Sequence, residues 1–100
     1  MHKQDYLLCA EFGANDAARK TTVHERTDYN AETKEVRVRL RARRDSKFTS
    51  LDQTCNRYFS DWQKLFYTKL GYKRAEIINT EKEPIDDELY FYTLVYRLKF

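Results

Sequence analysis

The alternation of apolar and polar positions is clearest between Lys34 and Arg44, where Val36, Val38, Leu40 and Ala42 interleave with Arg37, Arg39, Arg41 and Arg43. Successive side chains of a strand point to opposite faces, so this spacing predicts a strand with one apolar face and one guanidinium face. Lys20 to Tyr29 repeats the alternation with Thr21, Val23, Thr27 and Tyr29, β-branched and aromatic as strands prefer, and the polar stretch Asn30 to Thr33 joins the two segments. Residues 20–44 therefore read as a long hairpin. Tyr6 to Phe12, with Tyr6, Leu8, Ala10 and Phe12 in phase, predicts a strand before it.

Beyond the hairpin the period changes. Ser50 with Gln53 three residues later reads as a capping box, and Leu51, Cys55, Tyr58, Trp62, Leu65, Phe66 and Leu70 recur at helical spacing. One long amphipathic helix is expected over about 51–70, closed by Gly71 in the left-handed conformation. Arg74 to Thr80 predicts a short strand, Glu81 to Asp87 with Pro84 a polar connection, and Glu88 to Phe100 a final strand. The order β-β-β-α-β-β defines an α+β two-layer sandwich: an antiparallel five-stranded sheet with the helix across one face. The final strand is apolar on both faces through its middle, as a strand covered on both sides would be. With a single helix available, its second cover is expected from a partner, or from a second copy in a homodimer through residues 88–100.

A chain of 100 residues holds one modest core, and 41% hydrophobic and 15% aromatic residues with two glycines and one proline exclude a disordered or low-complexity segment. A single domain over 1–100 is expected. The longest mostly apolar run, Leu89 to Tyr96, is far too short for a membrane helix, and the patch at Tyr6 to Ala10 is too brief for a signal-peptide core. An intracellular, cytoplasmic protein is expected, neither secreted nor membrane-bound. Cys9 and Cys55 each lie among apolar neighbours and read as buried free thiols. No metal-ligand spacing joins them to His2 or His24, and no metal or other cofactor is expected.

The net charge of +3 says little until its distribution is considered. Residues 34–47 sum to +5, whereas residues 81–88 sum to −4, so the charge is polarised along the chain. Arg37, Arg39, Arg41 and Arg43 would project from one strand face at about 6.6–6.8 Å intervals, comparable to phosphate spacing along a nucleic-acid strand. Hairpin register decides what surrounds them. With Tyr29 opposite Lys34, Thr27 meets Val36 and Val23 meets Leu40, while Arg26 opposes Arg37, His24 opposes Arg39 and Lys20 opposes Arg43. A one-residue slip sets Glu25 against Arg39 but turns Val23 onto the arginine face. The first register is preferred, because burying a valine contributes roughly 1.5–3 kcal/mol and a surface ion pair at most about 1 kcal/mol.

Such a like-charge face is costly unless something anionic neutralises it. A nucleic acid could do so, with aromatics of the final strand stacking on bases. The plainer reading is a solvated strand whose long stems cover apolar surface, with Glu25 or Glu35 supplying part of the countercharge. In the acidic segment, Asp86, Asp87 and Glu88 could bind a divalent cation or grip a basic patch on a protein partner, but no cation-loop spacing is present and a solvated hairpin loop is the plainer reading. No nucleophile–base pair, glycine-rich phosphate loop or metal cluster is present to carry catalysis. A non-enzymatic binding protein is expected, one that docks on a larger protein or ribonucleoprotein and modulates or inhibits it, as small accessory factors and virus-encoded inhibitors do. The alternative is a nucleic-acid-binding module with the arginine stripe on phosphates. The candidate partner-binding residues are Lys20, His24, Arg26, Arg37, Arg39, Arg41, Arg43, Asp86 and Asp87.

Overall fold

The computed structural model describes residues 22–100. Within them the elements run β1 (Val23–Asn30), β2 (Glu35–Arg43), α1 (Phe48–Leu70), β3 (Arg74–Pro84) and β4 (Leu89–Lys99). They form an antiparallel sheet of four strands in the order β1-β2-β4-β3, with α1 packed across one face. The α+β class is as the periodicity predicts, but the sheet has four strands rather than five. The expected strand at residues 6–12 lies outside the described residues, as does Lys20.

Apolar residues of β2 and β4 build the core. Val36, Val38, Leu40 and Ala42 from β2 and Tyr90, Tyr92, Leu94, Tyr96 and Leu98 from β4 meet Leu51, Cys55, Tyr58, Phe59 and Trp62 of α1. The helical stripe is thus 51–55–58–59–62, continued by half-buried Phe66 and Leu70. Leu65, expected on that stripe, is 52% exposed, while Phe59 takes a core place, its ring stacked on Tyr96 at 4.1 Å. Two polar ties fix the helix over β4: the hydroxyls of Tyr92 and Tyr96 donate to Asp52 Oδ1 and Asn56 Oδ1, both at 2.5 Å.

The helix begins at Phe48, three residues before the expected start at Leu51. Its first turn closes with Leu51 N–H donating to Lys47 O at 3.1 Å, and Lys47, in extended conformation, makes no side-chain cap. Ser50 lies inside that turn, where its carbonyl accepts from Thr54 Oγ1. At the far end Gly71 adopts φ +74° and its N–H donates to Tyr67 O, the expected left-handed closure. Strand β3 also outruns its expected length, continuing through Glu81 and Glu83 to Pro84. An edge strand tolerates proline at its end because no ladder donor is needed there.

The β1–β2 register differs from the expected one by two residues. Tyr29 pairs with Val36 and Thr27 with Val38, which keeps the same faces together. The turn sets this shift: Asn30 Oδ1 accepts the N–H groups of Glu32 and Thr33, and Lys34 takes φ +63° with its N–H on Asn30 O. At Glu25 the ladder breaks in a β-bulge, and beyond it His24 pairs with Leu40 and Val23 with Arg41.

Candidate functional site

The sheet face away from α1 is where the arginine stripe lies. Arg37, Arg39, Arg41 and Arg43 alternate along β2 with the buried core residues, and Arg26 of β1 pairs directly with Arg39. Like charges therefore do meet across the hairpin, but each is answered by a carboxylate. Arg26 Nε lies 2.8 Å from Asp28, Arg41 lies 3.4 Å from Glu25 on the bulge, and Arg43 lies 3.5 Å from Asp45. Glu35 is shared by Arg97 at 3.0 Å and Arg37 at 3.7 Å.

The longest reaches cross a whole strand. Strand β4 separates β2 from β3, yet Arg37 Nη1 meets Glu81 at 2.6 Å and Arg39 Nη2 meets Glu83 at 3.4 Å. In register Arg37 faces Val95 and Glu81 faces Thr93, so the first pair spans β4 between those two residues, which are only 1% and 5% exposed. The Arg39 guanidinium sits 4.5 Å from the centre of the Phe91 ring, adding a cation–π contact to the second crossing. Arginine stems laid over apolar surface with their heads paired are an ordinary cover for such residues. The second face of β4, expected to be covered by a partner, is thus overlaid from within the chain. As an interior strand paired on both edges, β4 also has no open backbone edge to offer a second copy.

A cavity of about 200 Å³ opens in this lattice between Arg26, Asp28, Arg37, Arg39, Glu81 and Thr93. Burial pushes the Asp28 carboxyl above its ordinary range, against the opposing pull of Arg26, Arg39 and Arg37. The hydrogen bond to Glu81 raises Arg37, so that guanidinium is held charged and in place.

Of the expected site residues, the structure brings Arg26, Arg37, Arg39 and Arg41 together, with Arg43 at the end of the row. His24 is not among them. The bulge turns it under the helix, where its ring stacks on Tyr58 at 3.9 Å and Nε2 lies 2.9 Å from Thr27 Oγ1. Asp86 has a local task, since its Oδ1 accepts the N–H groups of Glu88 and Leu89 and shapes the β3–β4 turn. Its carbonyl accepts from Arg44 Nε at 3.1 Å, which joins the two oppositely charged segments within one chain. Asp87 is exposed in the same turn. Tyr90, Tyr92 and Tyr96 are buried on the helix side, leaving Phe91 as the ring of β4 on the arginine face.

Sequence reading missed the glutamates of β3. Glu81 and Glu83 alternate just as the arginines do, a signal of strand rather than loop that Pro84 and the neighbouring acids obscured. Cys55 is buried with its thiol directed to Val38 O at 3.8 Å, and burial pushes that thiol up to about 12, far from a nucleophile's range. Among the described residues no group of three or more His, Cys, Asp or Glu side chains could hold a metal ion, and no helix is long and apolar enough to cross a membrane. No family model, curated protein or solved structure matches the chain.

Proposed function

We propose that this protein is a non-enzymatic binding module that docks on a larger protein or ribonucleoprotein through its charge-striped sheet face and modulates that partner by occlusion. The observation that carries this reading is the pair of parallel columns, arginines on β2 and glutamates on β3, tied across β4. Charges fixed in position by one another lose little freedom on binding, and a mixed-sign pattern selects a partner with the complementary pattern. A polyanion would have to displace those carboxylates before it could use the arginines, which favours a protein surface over phosphates.

The test is to isolate the partner by cross-linking, identify it, and reconstitute the complex from purified components. Reversing two positions of the arginine column, Arg39→Glu and Arg41→Glu together, is expected to abolish the reconstituted complex, and Asp87→Lys to weaken it. A complex that survives all three substitutions overturns the reading.

A further inference from the structure

The cavity on the sheet face is walled by all four strands. Arg26 and Asp28 of β1 stand opposite Arg39 and Arg37 of β2, Thr93 of β4 forms its floor, and Glu81 reaches in from β3. Three guanidinium groups and two carboxylates thus surround about 200 Å³, several times the share of one water molecule. Glu83 and Glu35 flank the same arginines, 3.4 Å from Arg39 and 3.7 Å from Arg37, and Glu35 also holds Arg97 at 3.0 Å. With every carboxylate charged, Asp28, Glu35, Glu81 and Glu83 balance Arg26, Arg37, Arg39 and Arg97, so the lattice has no surplus to offer an anion.

One of these carboxylates is charged against its own burial. Arg26 Nε lies 2.8 Å from Asp28, yet the Asp28 side chain is only 31% exposed, and desolvation raises its carboxyl above the ordinary range against the pull of Arg26, Arg39 and Arg37. Among the described residues, the charged groups facing it are Arg26 on its own strand, Arg37 and Arg39 on β2 and Glu81 on β3; Thr93 on β4 carries no charge. A proton here has two effects. It leaves four guanidinium groups against three carboxylates, and it turns an oxygen that only accepts hydrogen bonds into a hydroxyl that can donate one.

We infer that this cavity is a proton-coupled oxyanion site, in which Arg26, Arg37 and Arg39 take a sulfate- or phosphate-sized anion when Asp28 takes up a proton. The inference rests on the reading of this face as the binding surface and names what regulates it, since acidification opens to an oxyanion a face that neutralises itself when its carboxylates are charged. Proton and anion favour each other by the same factor, because each binds better to the state the other stabilises. A tetrahedral oxyanion suits the forked donors of guanidinium groups, which hold it by charge-assisted hydrogen bonds. It enters as a free ion or as the charged end of a group on the partner.

The experiment is a titration of the full-length 15N-labelled protein with sodium sulfate at constant ionic strength, followed through the amides of residues 26–28, 37–39 and 93, in the wild type and in Asp28→Asn. Asparagine keeps the shape and removes the charge, so at pH 7 the variant should bind sulfate about tenfold more tightly than the wild type. At pH 3.8, the ordinary aspartate value, a raised Asp28 is more than half protonated, so the two proteins should agree within about twofold. Arg39→Ala added to Asp28→Asn should cancel the gain, and the same spectra report that the fold is kept. Methyl sulfate should repeat the pattern if the anion is carried on a partner, whereas binding of sulfate alone identifies a free ion; both outcomes support the site. Equal affinities of wild type and Asp28→Asn at pH 7, a tenfold gap that persists at pH 3.8, or no saturation of Asp28→Asn by about 100 mM sulfate would overturn the inference. Failure here with a partner complex still lost on Arg39→Glu/Arg41→Glu removes the proton coupling alone and leaves the sheet-face reading standing.

Discussion

Removing the Arg37–Glu81 contact by a double-mutant cycle probes whether the charge lattice exists as a working structure in solution. The two side chains meet at 2.6 Å but are 43% and 40% exposed, so solvent screens them and the pair belongs near the upper end of surface ion pairs, about 0.5–1 kcal/mol of coupling. Arg37→Ala carries a further cost, because its stem lies over β4 beside Val95. Exposing a few tens of Å² of apolar surface there adds about 1 kcal/mol. Arg37→Met keeps the stem and discards the charge, so it should lose only the pairing energy. Urea unfolding of the wild type, Arg37→Ala, Glu81→Ala and the double variant at low salt gives the coupling directly, and repetition in 1 M NaCl should shrink it toward zero. A coupling within error of zero at low salt would mean that Glu81 does not hold Arg37 across β4 in solution. The argument that β3 neutralises the arginines would then fail.

Three other outcomes follow from the same geometry. In a Cys9→Ser background, Cys55 should react with Ellman's reagent at pH 8 only as fast as the protein unfolds, since burial pushes its thiol up to about 12; rapid labelling of the folded protein would show that the site is open. Gly71→Ala should destabilise by about 1 kcal/mol although nothing crowds the added methyl, because φ +74° strains any residue with a Cβ; thermal unfolding reads the difference. Burial holds the folded-state pKa of Asp28 above its unfolded value, so folding binds protons there and the charged form opposes folding as pH rises through the folded pKa. Asp28→Asn should therefore gain stability relative to wild type in urea titrations as pH rises from the ordinary aspartate value of 3.8 through the raised folded pKa, and a relative loss over that rise would refute the assignment.

The strands and helix of the described chain were legible because one period dominates each. Val36 to Ala42 could only sit as they do with the arginines outward, and parity along Thr27 and Tyr29 followed from keeping apolar residues together. Three local decisions were not legible. The Glu25 bulge is one inserted residue with no sequence signature, and it alone moved His24 from the arginine face to a stack with Tyr58. The helix start at Phe48 follows from where the chain leaves β2, which a capping pattern at Ser50 and Gln53 cannot report. The crossing pairs Arg37–Glu81 and Arg39–Glu83 join residues 44 positions apart, so they depend on β4 lying between β2 and β3, a strand order that periodicity does not encode.

The most direct measurement on the central claim is binding of a labelled single-stranded RNA of about 20 nucleotides at 50 and 200 mM salt, by fluorescence anisotropy. Four arginines freely meeting phosphates would give a log–log salt slope of about −3. A face whose arginines are held by Glu35, Glu81, Glu83, Glu25 and Asp45 predicts weak association with a slope well short of that, unchanged in Arg39→Ala/Arg41→Ala. Tight binding with the full slope, flattened by those two substitutions, would contradict the account and make the stripe a phosphate-binding surface.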